Sequence, residues 1–403
     1  MLTLETYILK SVSRNVVTGA FRALVAASIL LCVLGASFTV AHEDKTEDFC
    51  SDAIVVENYT EGETQSYPLA LLCGSASVQD AETVLVENLS SDRETRISSA
   101  PVHLGRFKVC IELVPGMNRL SISVGEERKD LVLYYQKSSN PYFVRLVYFV
   151  DSSGNDAFEQ DPDWTGISSN DYAQKIRTAA LLWQTATAES FNNAGLGRRT
   201  FSLEFDENDY VTVWIQRGKK TADEYRTLSE EERFKQIYQE TLSGNVGTLF
   251  ARYLVLVSFS RYDAQTKELQ GKIALGGGSV GMLDSSTLFS WPDSLDVVNA
   301  YLTDSAPIAA TYHRDSAYRD ARWALTSSSL GAGLHELGHA FGLEHSDDSN
   351  DFMSRGFDKF NRIFTTFEPS IRDGSRVVFH EEDCARWGRK SSARLLNSPW
   401  IEK

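Results

Sequence analysis

The sequence predicts a small all-β sandwich followed by an α/β domain, a sheet covered by helices, in a chain of 403 residues. Three observations point there. Short apolar runs between turn signals fill residues 51 to 136, a polar break at Lys137-Ser-Ser-Asn-Pro141 ends that pattern, and strand-like and helix-like periods alternate beyond it. A chain that is 42% hydrophobic and 24% charged is a folded one, which excludes disordered, collagenous and multi-pass membrane classes. Forty Lys and Arg against 55 Asp and Glu leave a net charge of -15, so nucleic acid is not an expected partner.

Residues 1–41 read as a targeting segment rather than as part of the fold. Lys10, Arg14 and Arg22 precede an uncharged run from Ala23 to Val40, and Ala36 and Ala41 are small residues of the kind found at cleavage sites. This is the pattern of a secretory signal peptide. The run is 18 residues long, near the length that crosses a bilayer, so an uncleaved signal anchor is the alternative, and only then is a membrane a partner. Secretion is the expected localisation. In an oxidising compartment Cys50, Cys73, Cys110 and Cys384 allow three full pairings, and disulfides are expected. Asn58-Tyr-Thr60 and Asn88-Leu-Ser90 are N-glycosylation acceptors.

The first domain, residues 50–137, takes its strands from Ile54–Val56, Leu69–Leu72, Val84–Val86, Phe107–Leu113, Leu120–Val124 and Leu131–Tyr135, with turns at Pro115-Gly116 and Gly125. No cluster of reactive side chains falls in it, and it reads as a structural or docking module. The second domain, residues 141–399, opens with a buried strand over Phe143–Val150. A helix over Asn170–Asn193 follows, with Ile176, Ala180, Trp183, Thr187 and Phe191 on one face. Phe201, Leu203 and Phe205 alternate, as do Val211, Val213 and Ile215, which predicts two half-buried strands. Thr221 and Glu224 form a capping box for a helix running towards Leu249, and Tyr253–Phe259 is a further strand in a sheet of four or five. The polar loops Asp151–Asp156 and Ser346–Asp351 read as solvated, the first lacking the closing Glu of a calcium loop.

The chemistry concentrates in His335-Glu-Leu-Gly-His339-Ala-Phe-Gly342-Leu-Glu-His345, an HExxHxxGxxH pattern. Residues four apart project from one helix face, so His335 and His339 can address one ion with Glu336 beside them. Leu330, Leu334, Leu337 and Phe341 form a second stripe that would seat the helix in the core. Gly342 takes the left-handed conformation that ends the helix and turns the chain back to bring His345 into the set. Three imidazoles leave a fourth position for water, the catalytic arrangement, so one Zn2+ is the expected cofactor. Met353 lies eight residues after His345, where its thioether would form an apolar floor beneath the rings.

The extended helix motif and Met353 together resemble the helix and Met-turn of the metzincin zinc peptidases. More widely, Ile54-Val-Val-Glu-Asn58, Gly197-Arg-Arg-Thr-Phe201, Ala274-Leu-Gly-Gly-Gly278, Trp291-Pro292 and Asn361-Arg-Ile-Phe-Thr-Thr366 resemble the eukaryotic Metallopep family of zinc metallopeptidases, over about Asp52–Pro399. The resemblance implies a β domain coupled to a metzincin-like unit, a twisted mixed sheet with an active-site helix. Some metzincins place a Tyr two residues after the Met; here that residue is Arg355. The cysteine switch and structural-zinc histidines of the matrixins are missing, so Cys73 is read as structural.

The expected activity is that of a secreted zinc endopeptidase. Zinc lowers the pKa of its water to about 7 and Glu336 accepts the proton. A protein or peptide substrate would pair with an edge strand, for which Ala274, Leu275, Gly276 and Gly277 are the candidates, the glycines permitting close backbone approach. The alternative is a secreted binding protein whose zinc site is catalytically silent, although such a site has no use for Glu336. His42, His103, His313 and His380 have no partner at ligand spacing.

Overall fold

The computed structural model describes residues 53–78, 80–161, 164 and 171–402. The expected targeting segment and Cys50 therefore lie outside the described residues. Among the described residues no helix is long and apolar enough to cross a membrane. Ser51–Lys403 forms one compact unit.

Its first part holds β1 (Ile54–Val56), β2 (Glu63–Gln65), β3 (Leu69–Ala76), β4 (Thr83–Asn88), β5 (Ile97–Pro101), β6 (Arg106–Glu112), β7 (Gly116–Val124) and β8 (Glu127–Tyr135). They make two sheets, β1-β3-β6 and β2-β8-β7-β4-β5, antiparallel except where β2 runs beside β8. Val84, Val86, Val109, Ile111, Leu120, Ile122 and Leu133 close the space between them. The other face of β3 and β6, carrying Leu69, Leu71 and Cys110, belongs to a second core shared with the residues that follow. A strand covered on both faces reads as a continuous apolar run, which is why Leu69–Leu72 shows no alternation.

The second part contains β9 (Phe143–Val150), α1 (Tyr172–Asn193), β10 (Ser202–Leu203), β11 (Val213–Arg217), α2 (Ala222–Arg226), α3 (Glu230–Ser243) and β12 (Ala251–Val257). A short hairpin, β13 (Arg261–Asp263) and β14 (Glu268–Gln270), leads to β15 (Ala274–Gly277), β16 (Val280–Asp284), α4 (Val298–Thr303), α5 (Arg322–Ala340), α6 (Asn361–Phe364) and α7 (Arg389–Leu396). The sheet has six strands in the order β10-β9-β12-β16-β15, with β11 also beside β9. All neighbours are parallel except β15, which runs antiparallel to β16 at the edge. Leu146 and Tyr148 face the core of α1 and α5, whereas Val147 and Phe149 face that of α2 and α3. The mixed α/β architecture follows from this alternation of a strand buried on both sides.

Several expectations need correction. Helix α1 is buried from Lys175 to Phe191 apart from Arg177, not along one stripe, because it lies between the sandwich and the six-stranded sheet. The Thr221–Glu224 capping box is present, but α2 stops at Arg226 and Ser229 opens α3 with a second box to Glu232. Two caps eight positions apart favour a restart over one continuous helix. Val211 and Val213 pack against the core as expected, but Ile215 at the end of that face is exposed while Gln216 is buried. Asp151 is buried: Oδ1 accepts from the Ser153 amide at 3.0 Å and Oδ2 from the Ala222 amide at 3.1 Å, which ties its loop to the start of α2.

Among the described residues no disulfide is formed, and the fourth cysteine of the expectation, Cys50, lies outside them. Cys73, Cys110 and Cys384 are free thiols. Lys108 lies opposite Cys73 and Leu71 opposite Cys110, so Cys73 and Cys110 are diagonal neighbours, too far apart for a bond without backbone movement. Nor is Asn88 available to an oligosaccharide. It is fully buried, and its Nδ2 donates to the Glu112 carbonyl at 3.0 Å and to Asn118 Oδ1 at 2.8 Å. Asn58 is half-buried and donates to the Leu71 carbonyl at 2.7 Å.

Candidate metal centre

Helix α5 packs against β12, β15 and β16 and is buried along almost its whole length. Such a helix must satisfy its polar side chains internally. Thr326 Oγ1 donates to the Ser290 carbonyl at 2.9 Å, Ser327 Oγ to the Asp358 carbonyl at 2.9 Å, and Ser329 Oγ accepts from Trp291 Nε1 at 3.0 Å. The predicted stripe of Leu330, Leu334, Leu337 and Phe341 is buried. From α1, Trp183 Nε1 donates to the Leu330 carbonyl at 2.6 Å.

The helix ends as its sequence requires. Phe341 is the C-cap and Gly342 follows at φ +84°; the Gly342 amide donates to the His339 carbonyl at 2.9 Å and the Leu343 amide to the Gly338 carbonyl at 3.0 Å. This is the paired bonding of a Schellman turn. The turn aims the Leu343 carbonyl back at the helix, where it accepts from His339 Nδ1 at 2.9 Å. The Phe352 carbonyl accepts from His335 Nδ1 at 2.6 Å. Carbonyls only accept, so both rings carry their proton on Nδ1 and present an Nε2 lone pair.

Those lone pairs meet. His339 Nε2 lies 3.2 Å from His335 Nε2 and 3.2 Å from His345 Nε2. Bare lone pairs at that distance repel, whereas a cation between them turns repulsion into ligation. Tetrahedral zinc with bonds of about 2.0–2.1 Å would separate two ligand nitrogens by about 3.3–3.4 Å, so the residues present fit that ion. His335 is buried, His339 half-buried and His345 exposed, which opens the group to solvent on one side. Burial pushes His335 down to about 4 and lowers His339, so neither ring has to lose a proton to bind metal near neutrality. Among the described residues no other group of three His, Cys, Asp or Glu side chains could hold an ion in this way.

Glu336 is 5% exposed, and its Oε2 has no hydrogen-bond partner. Burial first, and then the Glu230 carboxylate, push it up to about 8 in the metal-free protein. Met353 is fully buried beneath α5: a Cβ on Gly338 would overlap its Sδ, and Trp387 closes the other side. The turn that carries it is held by Asp351, also fully buried, whose Oδ1 accepts from the Met353 amide at 3.0 Å and whose Oδ2 accepts from Ser391 Oγ at 2.7 Å. Asp351 was expected in a solvated loop; the Asp two residues before a Met is an Asx-turn signal that could have placed it. Arg355 forms an ion pair with Asp358 at 2.7 Å and lies over the Phe357 ring, which meets the His335 ring edge-on at 5.2 Å.

Ala274, Leu275, Gly276 and Gly277 form the edge strand β15, and the glycines divide the work differently from expectation. A Cβ on Gly276 would fall 2.5 Å from His339 Cβ and 2.7 Å from the Glu336 carbonyl oxygen, so the close approach Gly276 permits is that of α5. Gly277 has nothing within 4 Å of that position, and Gly278, at φ +63°, turns against the Tyr238 hydroxyl.

The Metallopep family model, described as "Putative peptidase family", matches residues 53–403. A Schizosaccharomyces pombe protein named "Putative zinc metalloproteinase" is 30% identical over 322 residues, 73% of this chain and 51% of its own length. A Saccharomyces cerevisiae protein of the same description is 26% identical over 384 residues, 85% of this chain and 54% of its own. The chain thus spans about half the length of the curated relatives it matches. Among solved structures, catalytically inactive OgpA from Akkermansia muciniphila in complex with an O-glycopeptide substrate has a TM-score of 0.38 at 14% identity, covering 63% of this chain and 64% of that one. Archaemetzincin from Methanopyrus kandleri has a TM-score of 0.26 at 14% identity, covering 64% and 94%.

Proposed function

The chain belongs to the Metallopep peptidase family, and from that premise we propose that it is a secreted zinc endopeptidase acting on proteins or peptides. One observation carries the reading: three Nε2 atoms converge, and Glu336, the residue that follows the first of those histidines, is a buried carboxylate whose Oε2 has no partner of its own. Leaving such an oxygen unsatisfied costs about 1–3 kcal/mol, more for a charged group, which a purely structural metal site has no reason to incur.

In this reading His335, His339 and His345 hold one zinc ion, and Met353 packs beneath them through Gly338. When bound, zinc supplies a Lewis acid and a water whose proton is labile near pH 7. The Phe352 and Leu343 carbonyls fix the tautomer and tilt of two rings. Glu336 takes the water's proton at Oε2 and passes it to the leaving amine. An extended substrate pairs with Gly276, whose backbone N–H and C=O lie on the side of β15 away from β16.

Glu336→Ala tests this directly. The variant should retain one zinc per chain by elemental analysis while hydrolysis of a diverse peptide library falls by three orders of magnitude or more. Wild type that binds one zinc and cleaves nothing in that library would assign the site to a binding protein. Secretion, and the division into domains at residues 137–141, form part of the same proposal; recovery of the chain from culture medium, starting near residue 42, would support the first.

A further inference from the structure

The contact between β15 and α3 has a use beyond packing. The Asp284 amide donates to the Ile273 carbonyl at 2.9 Å, which makes these two a hydrogen-bonded pair at the start of the β15–β16 ladder. Such pairs alternate with non-bonded ones, so at Ala274 and Gly276 the backbone N–H and C=O point away from β16. Ala274 demonstrates the direction, because its N–H donates to Glu230 Oε1 at 3.0 Å. Glu230 therefore stands where a strand laid along β15 would run, about 7 Å along the edge from Gly276. Gly276 is in turn the strand residue next to Glu336, since a Cβ there would lie 3.1 Å from Glu336 Oε2.

Among the described residues the Glu230 carboxylate has no ion-pair partner, although the charge of Arg233 acts on it electrostatically. Arg233, one turn further along α3, spends its guanidinium on the carbonyls of Tyr225, Arg226, Leu228 and Lys272. Half-buried at the rim, its charge is screened less than one in open solvent.

We propose that Glu230 is a specificity-determining residue of the cleft, selecting substrates with a cationic group, a Lys or Arg side chain or a chain-terminal ammonium, about two residues from the one paired with Gly276. The inference rests on the hydrolytic reading above. Oε1 is held by Ala274, which orients the group and leaves Oε2 for the substrate. A peptide carbonyl cannot take the Ala274 N–H while the carboxylate holds it, and an anionic group at that position is repelled. A cation meets a preplaced counter-charge without displacing anything.

The test uses zinc-loaded full-length protein and peptides that differ only by Lys, norleucine or Glu at each position around the scissile bond, each with a free or acetylated N-terminus. Wild type should favour Lys over norleucine at one position by about fivefold to tenfold in kcat/KM, less as salt rises. Glu230→Gln, which keeps an acceptor for Ala274, should bring the ratio near one, and Glu230→Lys should turn it towards Glu. A preference that vanishes on acetylation assigns the terminal ammonium; one that persists assigns the side chain. Calorimetric binding of the same peptides to Glu336→Ala, with and without Glu230→Gln, should rank them in the same order. A wild-type enzyme that cleaves without a cation preference, or a preference unchanged in Glu230→Gln, overturns the proposal and leaves hydrolysis standing. If wild type cleaves nothing, hydrolysis fails, and the binding series decides Glu230 alone: discrimination lost in Glu230→Gln supports it, while discrimination kept or never present overturns it.

Discussion

Gly281 on β16 lies flat against Glu336 on α5: a Cβ there would fall 2.6 Å from the Glu336 carbonyl carbon and 3.0 Å from the Leu337 nitrogen. Its ladder partner Gly276 makes the matching contact with His339 and Glu336. Two glycines paired across the edge of the sheet thus form the notch into which α5 sinks, at the level of the histidines.

Gly281→Ala should therefore act on the site without touching a ligand. The atoms it meets are backbone, so α5 has to shift, and overpacking of this kind costs about 1–3 kcal/mol. Denaturant unfolding should show that loss, and zinc affinity should fall with it. Unchanged stability would mean that the helix seat is looser than described.

Met353 allows a size series. Met353→Leu nearly conserves volume and should cost under about 1.5 kcal/mol, whereas Met353→Ala leaves a cavity beneath Gly338 and should cost about 2–5 kcal/mol. Competition with a chelator should show weakened zinc binding for the Ala variant alone. Equal zinc affinity in both would reduce Met353 to ordinary core packing.

The buried carboxyl gives the metal-free protein a pH signature. Glu336 moves from 4.5 to about 8 on folding, so between those values the folded state keeps a proton the unfolded chain releases, and stability falls as pH rises. His335, moved from 6.5 down to about 4, works in the opposite sense below pH 6.5. In the presence of chelator, Glu336→Gln should match wild type near pH 4 and exceed it above pH 8, by up to about 5 kcal/mol. Parallel stability curves across that range would contradict the burial argument.

How much of this the sequence disclosed depends on the range of the interaction. The two helix histidines, Glu336 and the stop at Gly342 are local, fixed by helical spacing and one left-handed residue, and they are legible. The Phe352 and Leu343 carbonyls that orient the rings are backbone atoms and leave no mark in composition. Gly276 signals close approach in the sequence, but only tertiary structure shows that the approaching partner is α5. Likewise Lys175, whose Nζ donates to the Trp291 carbonyl at 2.6 Å, hides that α1 is covered all round, because a polar residue in a helix ordinarily marks its wet side. Glu230 reads as one acid of three at a helix start until Ala274 is seen to bond to it.

Asn88 separates the sequence motif from its chemistry. If the protein is recovered from a secretory host, mass spectrometry should find Asn88 without glycan, because its amide is enclosed by Glu112 and Asn118. Asn88→Ala should cost about 1–3 kcal/mol through the acceptors it strands. An oligosaccharide on Asn88 of folded protein would contradict the sandwich packing.

X-ray absorption at the zinc edge tests the centre itself. The account predicts one zinc per chain with three imidazole nitrogens at about 2.0–2.1 Å and one light oxygen, and loss of stoichiometric binding in His339→Ala. Sulfur in the zinc shell, a fourth protein ligand in place of the oxygen, or an unchanged spectrum in His339→Ala would contradict it.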